Sequence, residues 1–353
     1  MVSNSDAGRS MRADPGRAPI PRAELHLHIE GTLEPELAFQ LAARNHVTLP
    51  HADAAALRRQ YAFSDLQSFL DLYYATTAVL RTEEDFADLA RAYLERARDQ
   101  GVRHAEIFFD PQVHAERGVP VERVVDGLWS ALGSSEHDYG VSTLLIMCFL
   151  RDRGAGAAME TLEAALSRRD CIVGVGLDSA EVGHPPSEFV DVYDQARRQG
   201  FHCVAHAGEE GPPSYIWEAL DPLHAERIDH GVRCMEDASL VARLRDQQVP
   251  LTVCPLSNVR LRVVERIEDH PLPAMIEAGL LVTVNSDDPA YFGGYIEDNY
   301  RLVQRHLGID QEQLVTLAAN SFRAAFLGDE QRDRYLEELE RCAGPPGIAE
   351  PAP

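Results

Sequence analysis

STLLIMCFLRDRGAGAAMETLEAALSRRDCIVGVGL, residues 142–177, contains one complete strand–helix–strand unit. Residues 142–150 and 172–177 are short runs rich in Val, Ile, Leu and Phe, which is typical of buried strands. Between them, residues 154–167 carry apolar side chains at helical spacing. Because two strands joined through a helix pair in parallel, this unit predicts an α/β protein with a parallel sheet.

The same alternation recurs along the chain. Brief β-type runs occur at 23–27, 104–109, 142–150, 172–177, 202–205, 227–228, 251–253 and 281–284. Helical periodicity occurs at 121–132, 154–167, 186–198, 215–220, 238–246 and 272–278. Eight strands alternating with helices predict a closed (β/α)8 TIM barrel.

The segment between the first two predicted strands is much longer than the others. Its stretch FSDLQSFLDLYYATTAVL (63–80) places Phe63, Leu66, Phe69, Leu70 and Tyr73 at helical spacing. We therefore expect an extended helical insertion after strand 1. Two interpretations stay open: the insertion caps the barrel mouth, or its aromatic residues are ordinary core.

Composition predicts one compact domain with loose ends. Of the 353 residues, 45% are hydrophobic and 25% charged, which is ordinary for a globular protein. The ends are rich in Pro, Gly and Ala, so we expect flexible tails at 1–20 and 343–353 around a single domain, 21–342.

The net charge and the cysteine spacing limit which kinds of partner and which cellular compartment suit this protein. The net charge of −24 argues against nucleic acid and against anionic membrane surfaces, and favours a small neutral or cationic substrate. The six Cys are widely spaced, and no apolar run is long enough to span a membrane. We expect a cytoplasmic protein, and the sequence leaves its oligomeric state open.

The basic residues of this chain are all arginine, and no lysine occurs anywhere. Schiff-base chemistry, a pyridoxal phosphate anchor and the P-loop lysine each need an amine that the chain does not possess. A carboxylated lysine bridging two metal ions is excluded for the same reason. Any metal site of the barrel is therefore predicted to hold a single ion.

Ionisable and polar residues cluster where the predicted strands end, which is where a TIM barrel carries its chemistry. They are His26, His28, Asp178, His206, Glu209, Asp229, His230, Ser257, Asn258, Asp287 and Asp288. His26 and His28 are two residues apart on a strand, so both imidazoles point to the same side. With His206 and Asp287 they make a three-nitrogen, one-oxygen set suited to one Zn²⁺ with a position open for water. Alternatively, His26 and His28 alone are two hydrogen-bonded histidines in a polar patch.

Three further residues are candidates for acid–base catalysis beside that site: Glu209, His230 and Asp288. Each acid also has a plain structural interpretation. Glu209 suits the N-terminal end of a helix, and Asp288 suits an N-cap before Pro289.

Five motifs resemble the adenosine and adenine deaminase family of metal-dependent amidohydrolases. They are ELHLHIEGTL (24–33), VAHAGEE (204–210), ERIDHG (226–231), TVCPLSN (252–258) and VNSDDPAYFGGY (284–295). The resemblance implies one zinc ion held by His26, His28, His206 and Asp287. It also implies that Glu209 protonates purine N1, that His230 orients or deprotonates the attacking water, and that Asp288 bonds water or substrate.

The resemblance also bears on the substrate. Adenosine deaminases usually have Leu-Asp-Gly after the second histidine, whereas Ile29-Glu30-Gly31 stands here, and strand four ends in Asp178-Ser179-Ala180-Glu181. The stretches GLDSAEVGHPP (176–186), AHAGEEGPPSYIWEAL (205–220) and NSDDPAYFGGYI (285–296) resemble the adenine deaminase subgroup instead. The candidate substrate contacts are Glu30, Asp178, Ser179 and Asp288. We expect zinc-dependent hydrolysis of adenine to hypoxanthine and ammonia; adenosine or a modified adenine nucleoside is the alternative.

Two other functional classes are alternatives to a deaminase. A metal-binding barrel without activity would give Glu209, His230 and Asp288 no reason to accompany the ligands. A related hydrolase of amides or esters would release no ammonia from an aromatic amine. His184, in VGHPP, is a further residue that could touch substrate, but it has no motif partner.

Overall fold

The computed structural model describes residues 19–343. The predicted flexible tails, 1–20 and 343–353, lie almost entirely outside these residues.

Eight parallel strands form one sheet in the order of the chain. They are β1 (Arg22–His28), β2 (Val102–Phe109), β3 (Ser142–Leu150), β4 (Ile172–Asp178), β5 (His202–Ala207), β6 (Arg227–His230), β7 (Leu251–Val253) and β8 (Val282–Val284). The chain after β8 returns to β1, because Asp287 N–H donates to the His26 carbonyl at 3.0 Å and His28 N–H donates to the Asp287 carbonyl at 3.1 Å. The predicted (β/α)8 barrel is confirmed, and every predicted strand is present.

Alternation along β1 decides which side chains reach the barrel interior. Leu25 and Leu27 are buried in the large apolar layer between the strands and the surrounding helices. His26 and His28 take the opposite face, where His26 packs edge-on against Phe108 with ring centroids 5.2 Å apart. Inside the barrel, Phe108 belongs to a small apolar cluster with residues from β3 and β5.

Helices surround the sheet. They are α1 (Pro35–Arg44), α2 (Ala54–Arg58), α3 (Leu66–Thr77), α4 (Glu83–Asp99), α5 (Pro111–Ala115), α6 (Val121–Leu132), α7 (Ser135–Tyr139), α8 (Gly154–Ala165), α9 (Val190–Arg198), α10 (Pro213–Leu220), α11 (Ala238–Gln247), α12 (Pro255–Arg260), α13 (Leu272–Glu277), α14 (Pro289–Phe292), α15 (Ile296–His306), α16 (Gln311–Arg323) and α17 (Asp329–Ala343). Within residues 19–343, no helix is both long and apolar enough to cross a membrane.

The predicted helices are present, but some of their ends differ and several further helices were not predicted. The stretch predicted as one helix over 186–198 begins as a 3-10 turn, Pro186–Phe189, and becomes α-helical only at Val190. The sequence pattern above does not predict α15, α16 and α17, which follow β8. Of these, α16 packs on β1 and β8, where Ser321 Oγ accepts a hydrogen bond from Ala23 N–H at 2.8 Å.

The insertion after β1 covers the mouth of the barrel. Its helix α3 begins at an Asp65 capping box and buries an apolar face. This face packs against the segments after β7 and β8 in a second apolar cluster, here called the mouth cluster: Phe63, Leu66, Phe69, Leu70, Tyr73, Leu261, Ala290, Tyr291 and Phe292. The aromatic residues of the insertion are therefore buried core and also the roof over the strand ends.

Candidate active site

The four predicted metal ligands come together at the C-terminal end of the strands. One donor atom from each of His26, His28, His206 and Asp287 lies within 4.8 Å of the others, and all four side chains are buried. Two rings come from one face of β1 and the third from β5. Asp287 follows β8 and is held against β1 by the backbone hydrogen bonds that close the barrel.

The spacing of these donor atoms fits one tetrahedral metal ion. His28 Nε2 and His206 Nε2 are 3.2 Å apart. Asp287 Oδ1 is 3.2 Å from His26 Nε2 and 3.5 Å from His28 Nε2. Ligands about 2.05 Å from a tetrahedral zinc ion are separated by about 3.3 Å. His26 Nε2 is buried and makes no hydrogen bond, so a metal ion would satisfy it.

A layer of polar residues beneath the cluster orients the rings. Thr252 Oγ1 donates to Asp229 Oδ1 at 2.7 Å and lies 2.9 Å from His26 Nδ1. Since the threonine proton goes to Asp229, His26 Nδ1 carries a proton and Nε2 is the bare nitrogen that faces the cluster. Asp229 Oδ2 lies 3.8 Å from His206 Nδ1. Asp229, one of the polar residues at the strand ends, thus supports two ligands from below.

The three candidate acid–base residues lie beside the cluster. His230 Nε2 is 3.6 Å from Glu209 Oε2 and 3.7 Å from Asp287 Oδ2. Asn258 Nδ2 lies 3.3 Å from the other ring nitrogen of His230. Asp288 occupies the N-cap position of α14, but its side chain makes no capping hydrogen bond. Gly31 packs so closely on Asp288 that a Cβ there would collide with the carboxylate.

Burial favours the protonated form of the two acids and the neutral form of the histidine. Burial, together with the charges of Asp287 and Glu181, raises the pKa of Glu209 well above its usual value, so this carboxyl tends to keep its proton. Burial and the charge of Asp287 likewise raise the pKa of Asp288. Burial and the charge of His26 lower the pKa of His230 to about 3, so its ring is neutral.

A pocket connects these residues to the roof of the barrel. Its walls are His28, Leu66, Phe69, Leu70, Tyr73, Tyr74, Asp110, Asp178, Ser179, His206, Glu209, His230, Leu261, Asp287 and Asp288. Three of the four predicted substrate contacts, Asp178, Ser179 and Asp288, are on the wall. Sequence reasoning missed Asp110 and Tyr74, and it identified Tyr73 only as a residue of the insertion. His184 does not line the pocket.

Glu30 is the predicted substrate contact that the structure does not place on the pocket wall. Its Oε1 accepts hydrogen bonds from Asp110 N–H at 3.2 Å and pairs with His114 Nε2 at 2.9 Å. The side chain is fully buried between β1 and the start of α5. Glu30 therefore reaches the pocket through Asp110 rather than directly.

Glu181 holds the loop that carries Glu209. Its Oε1 accepts from Gly208 N–H at 2.7 Å, and its Oε2 accepts from the N–H groups of Glu209, Glu210 and Gly211 at 3.1, 2.8 and 2.7 Å. Four backbone donors bonded to one buried carboxylate fix the loop strongly, because hydrogen bonds to a charged group are stronger than neutral ones. Glu181 was noted at the end of strand four but given no role.

Replacing Glu181 with glutamine is expected to loosen this loop. The amide nitrogen of the new side chain would face N–H donors that it cannot satisfy, so the free energy of unfolding falls by about 2 kcal/mol. Because a small displacement of a reacting group is costly, kcat falls by roughly 10- to 100-fold. Denaturant unfolding and steady-state kinetics measure both effects. The exposed Glu188→Gln is the control, and equal kcat in the two variants would contradict this role.

A (β/α)8 barrel with three imidazoles and one carboxylate at its strand ends is the architecture of a metal-dependent amidohydrolase. The family model described as adenosine deaminase matches residues 21–342. The chain belongs to the adenosine deaminase family, within its adenine deaminase subgroup, and is a hydrolase.

Individual relatives cover nearly the whole chain. The adenine deaminase of Streptomyces coelicolor is 65% identical over 324 residues, which are 91% of this chain and 95% of that protein. The crystal structure of adenine deaminase from Arthrobacter aurescens has a TM-score of 0.90 and 59% identity, and covers 91% of this chain and 98% of its own. An amidohydrolase from Burkholderia ambifaria with bound Zn has a TM-score of 0.85 and 27% identity, and 92% of each chain is covered.

Proposed function

We propose that this protein hydrolyses adenine to hypoxanthine and ammonia with one zinc ion per chain, in a single catalytic domain formed by residues 21–342. The observation that carries the proposal is the pocket in which buried Glu209, His230 and Asp288 surround the four-residue ligand cluster. The identities of 52–65% to adenine deaminases support adenine as the substrate.

Zinc is proposed because of the donor set. His26, His28 and His206 would hold it through ring nitrogens and Asp287 through a carboxylate oxygen, a combination that suits Zn²⁺ better than Mg²⁺ or Ca²⁺. The relative with bound Zn supports the same choice. When bound, zinc is a Lewis acid that lowers the pKa of water and so makes it a nucleophile near neutral pH.

Glu209 is proposed as the acid of the reaction. Attack of water at C6 of adenine places negative charge on the purine ring, and a proton delivered to N1 neutralises that charge. Glu209 suits this role because it is buried and tends to stay protonated, and because Glu181 fixes the loop on which it stands.

His230 and Asp288 complete the proton transfers. Neutral His230 accepts a proton as the water oxygen bonds to C6, and the amino group then leaves as ammonia with a proton returned to it. Asp288, whose Oδ1 has no hydrogen-bond partner, bonds the water or the purine ring nitrogen nearest to it. Asp178 and Ser179 contact the far part of the substrate, and Glu30 supports that wall through Asp110.

A substrate panel tests the proposed function directly. Purified protein with zinc is mixed with adenine, adenosine and AMP, and both ammonia release and purine absorbance are followed. We expect rapid ammonia release from adenine and much slower release from the other two. No turnover of any 6-aminopurine would refute the deaminase, and ring-opened products without ammonia would indicate hydrolysis of another kind.

Removal of the metal is expected to abolish turnover. Dialysis against a chelator should lower the rate with adenine by more than about a hundredfold, because the nucleophile is no longer activated. Adding Zn²⁺ should restore the rate, whereas Mg²⁺ and Ca²⁺ should not, because both prefer all-oxygen sites. Full activity in protein shown to be metal-free by mass spectrometry would contradict the prediction.

A further inference from the structure

Two buried acids face the pocket from β2 and β4, and no described arginine forms an ion pair with either. Asp110 follows β2 and is 2% exposed, and Asp178 ends β4 and is 3% exposed. Among residues 19–343, no arginine lies within ion-pair distance of either carboxyl group; Asp178 Oδ2 is 3.5 Å from His28 Nδ1. Burying two acids without an arginine partner is costly, which indicates that they have a role at the pocket wall.

Each of these acids keeps one oxygen free for a ligand. One oxygen atom of each carboxyl group lies within 4.8 Å of the other. Asp110 Oδ1 and Asp178 Oδ1 are buried and have no hydrogen-bond partner. Asp110 also occupies the N-cap position of α5 without capping it. The pair therefore presents hydrogen-bond acceptors to the pocket and lacks a donor that would satisfy them.

Adenine in the proposed orientation offers one donor to this wall. With C6 at the ligand cluster and N1 at Glu209, which follows β5, the purine edge that carries N3 and N9 points away from the ligand cluster. In the free base the imidazole ring carries an N–H. In a nucleoside or nucleotide N9 is bonded to carbon and has no hydrogen.

We propose that Asp110 and Asp178 accept the hydrogen bond of the imidazole-ring N–H of adenine, and that this contact selects the free base over N9-substituted purines. The inference rests on the proposed function, since it names which 6-aminopurine the same site takes. An N9 substituent would leave two buried acceptors unpaired, which is the kind of mismatch that gives the strongest discrimination between substrates. In a nucleotide, the negatively charged phosphate group would in addition lie close to two acids.

The principal test replaces Asp110 with alanine and compares adenine with 9-methyladenine. In the wild type, kcat/KM for adenine should exceed that for 9-methyladenine by at least about 1,000-fold. In Asp110→Ala, kcat/KM for adenine should fall by roughly 100-fold, mainly through KM, because the lost contact is made in ground state and transition state alike. The value for 9-methyladenine should change by less than about threefold. The ratio between the two substrates therefore shrinks by well over tenfold.

A matched control separates this contact from a general effect of removing an acid. Asp152→Ala removes an acid that follows β3 at the same end of the barrel, pairs with Arg153 and does not line the pocket. It should leave the substrate ratio unchanged. An unchanged ratio in Asp110→Ala would overturn the proposal. So would a second metal ion per chain that disappears in Asp110→Ala, because His28, Asp110 and Asp178 would then hold a cation.

Inhibition of the wild-type enzyme gives a readout that does not depend on a variant folding. Hypoxanthine has the imidazole N–H and 9-methylhypoxanthine does not, so hypoxanthine should inhibit at least about 100-fold more strongly. Equal inhibition would overturn the proposal even though adenine is turned over. If the wild type does not deaminate adenine at all, the proposed function fails instead, and the two failures are distinguished.

Discussion

Replacing Glu209 with glutamine is expected to lower kcat for adenine by about a thousandfold while the protein keeps its metal, since proton transfer by a placed side chain contributes roughly 10²- to 10⁴-fold. Glutamine has nearly the same shape and can donate an N–H toward N1, but it cannot transfer a proton. Glu209 is not one of the four clustered ligands. Stopped assays of ammonia release give kcat, and mass spectrometry of the purified variant gives the metal content.

The neighbouring residue provides the control for this experiment. Glu210 stands on the same loop, is half-buried and does not line the pocket. Glu210→Gln should keep kcat within about threefold of the wild type, because a substitution away from the reacting atoms has a small effect. Loss of metal from Glu209→Gln would show that Glu209 is a ligand, and a decrease in kcat of less than tenfold would remove it from proton transfer.

The fold could be predicted because its signals are local. Each barrel strand is a short apolar run, and the predicted limits of 142–150 and 251–253 agree with β3 and β7. Where a predicted strand is shorter than the observed one, a polar residue interrupts the apolar run before the strand ends. β5 continues to Ala207, with His206 facing inward, and β6 continues to His230. His230 reaches the cluster because the backbone turns there, with φ +64°.

The cluster of four candidate ligands could also be predicted, because alternation on β1 and the rule on strand ends suffice to place its members. Asp110 was missed, although Asp110-Pro111 after β2 repeats the pattern of Asp288-Pro289 after β8. An Asp before Pro looks like an ordinary helix N-cap. Only the structure reveals that neither side chain caps its helix, which leaves both carboxyl groups for the pocket.

The contacts of Glu30 and Glu181 depend on where their side chains point, and no sequence pattern encodes that direction. Both acids stand close to strand ends, yet Glu30 turns toward His114 and Glu181 turns toward the loop 208–211. A glutamate side chain is long enough to reach several partners around a barrel mouth. Which partner it takes depends on how distant loops fold, so sequence reasoning identified the region but not the contact.

Replacing Asp287 with asparagine is expected to lower zinc affinity by more than about 100-fold and to abolish turnover at ordinary zinc concentrations, since even the partners behind metal ligands are worth 10- to 100-fold in affinity. Asparagine is the suitable substitution because Asp287 has φ +65°, a left-handed conformation that asparagine tolerates better than alanine. The backbone hydrogen bonds to β1 are then kept, and only the charged ligand is lost. Zinc titration with a competing chelator measures the affinity.

Asp288→Asn is the matched comparison, because it changes the same residue type one position further along the chain. Asp288 is not one of the four clustered donors, so this variant should bind zinc as the wild type does and still lose most of its activity. The two neighbouring acids thus separate metal binding from catalysis. Unchanged zinc affinity in Asp287→Asn would remove Asp287 from the ligand set, and the three histidines would then need another oxygen donor. Equal zinc loss in both variants would mean that the two carboxylates act as one unit, and the separate roles proposed for them would be wrong.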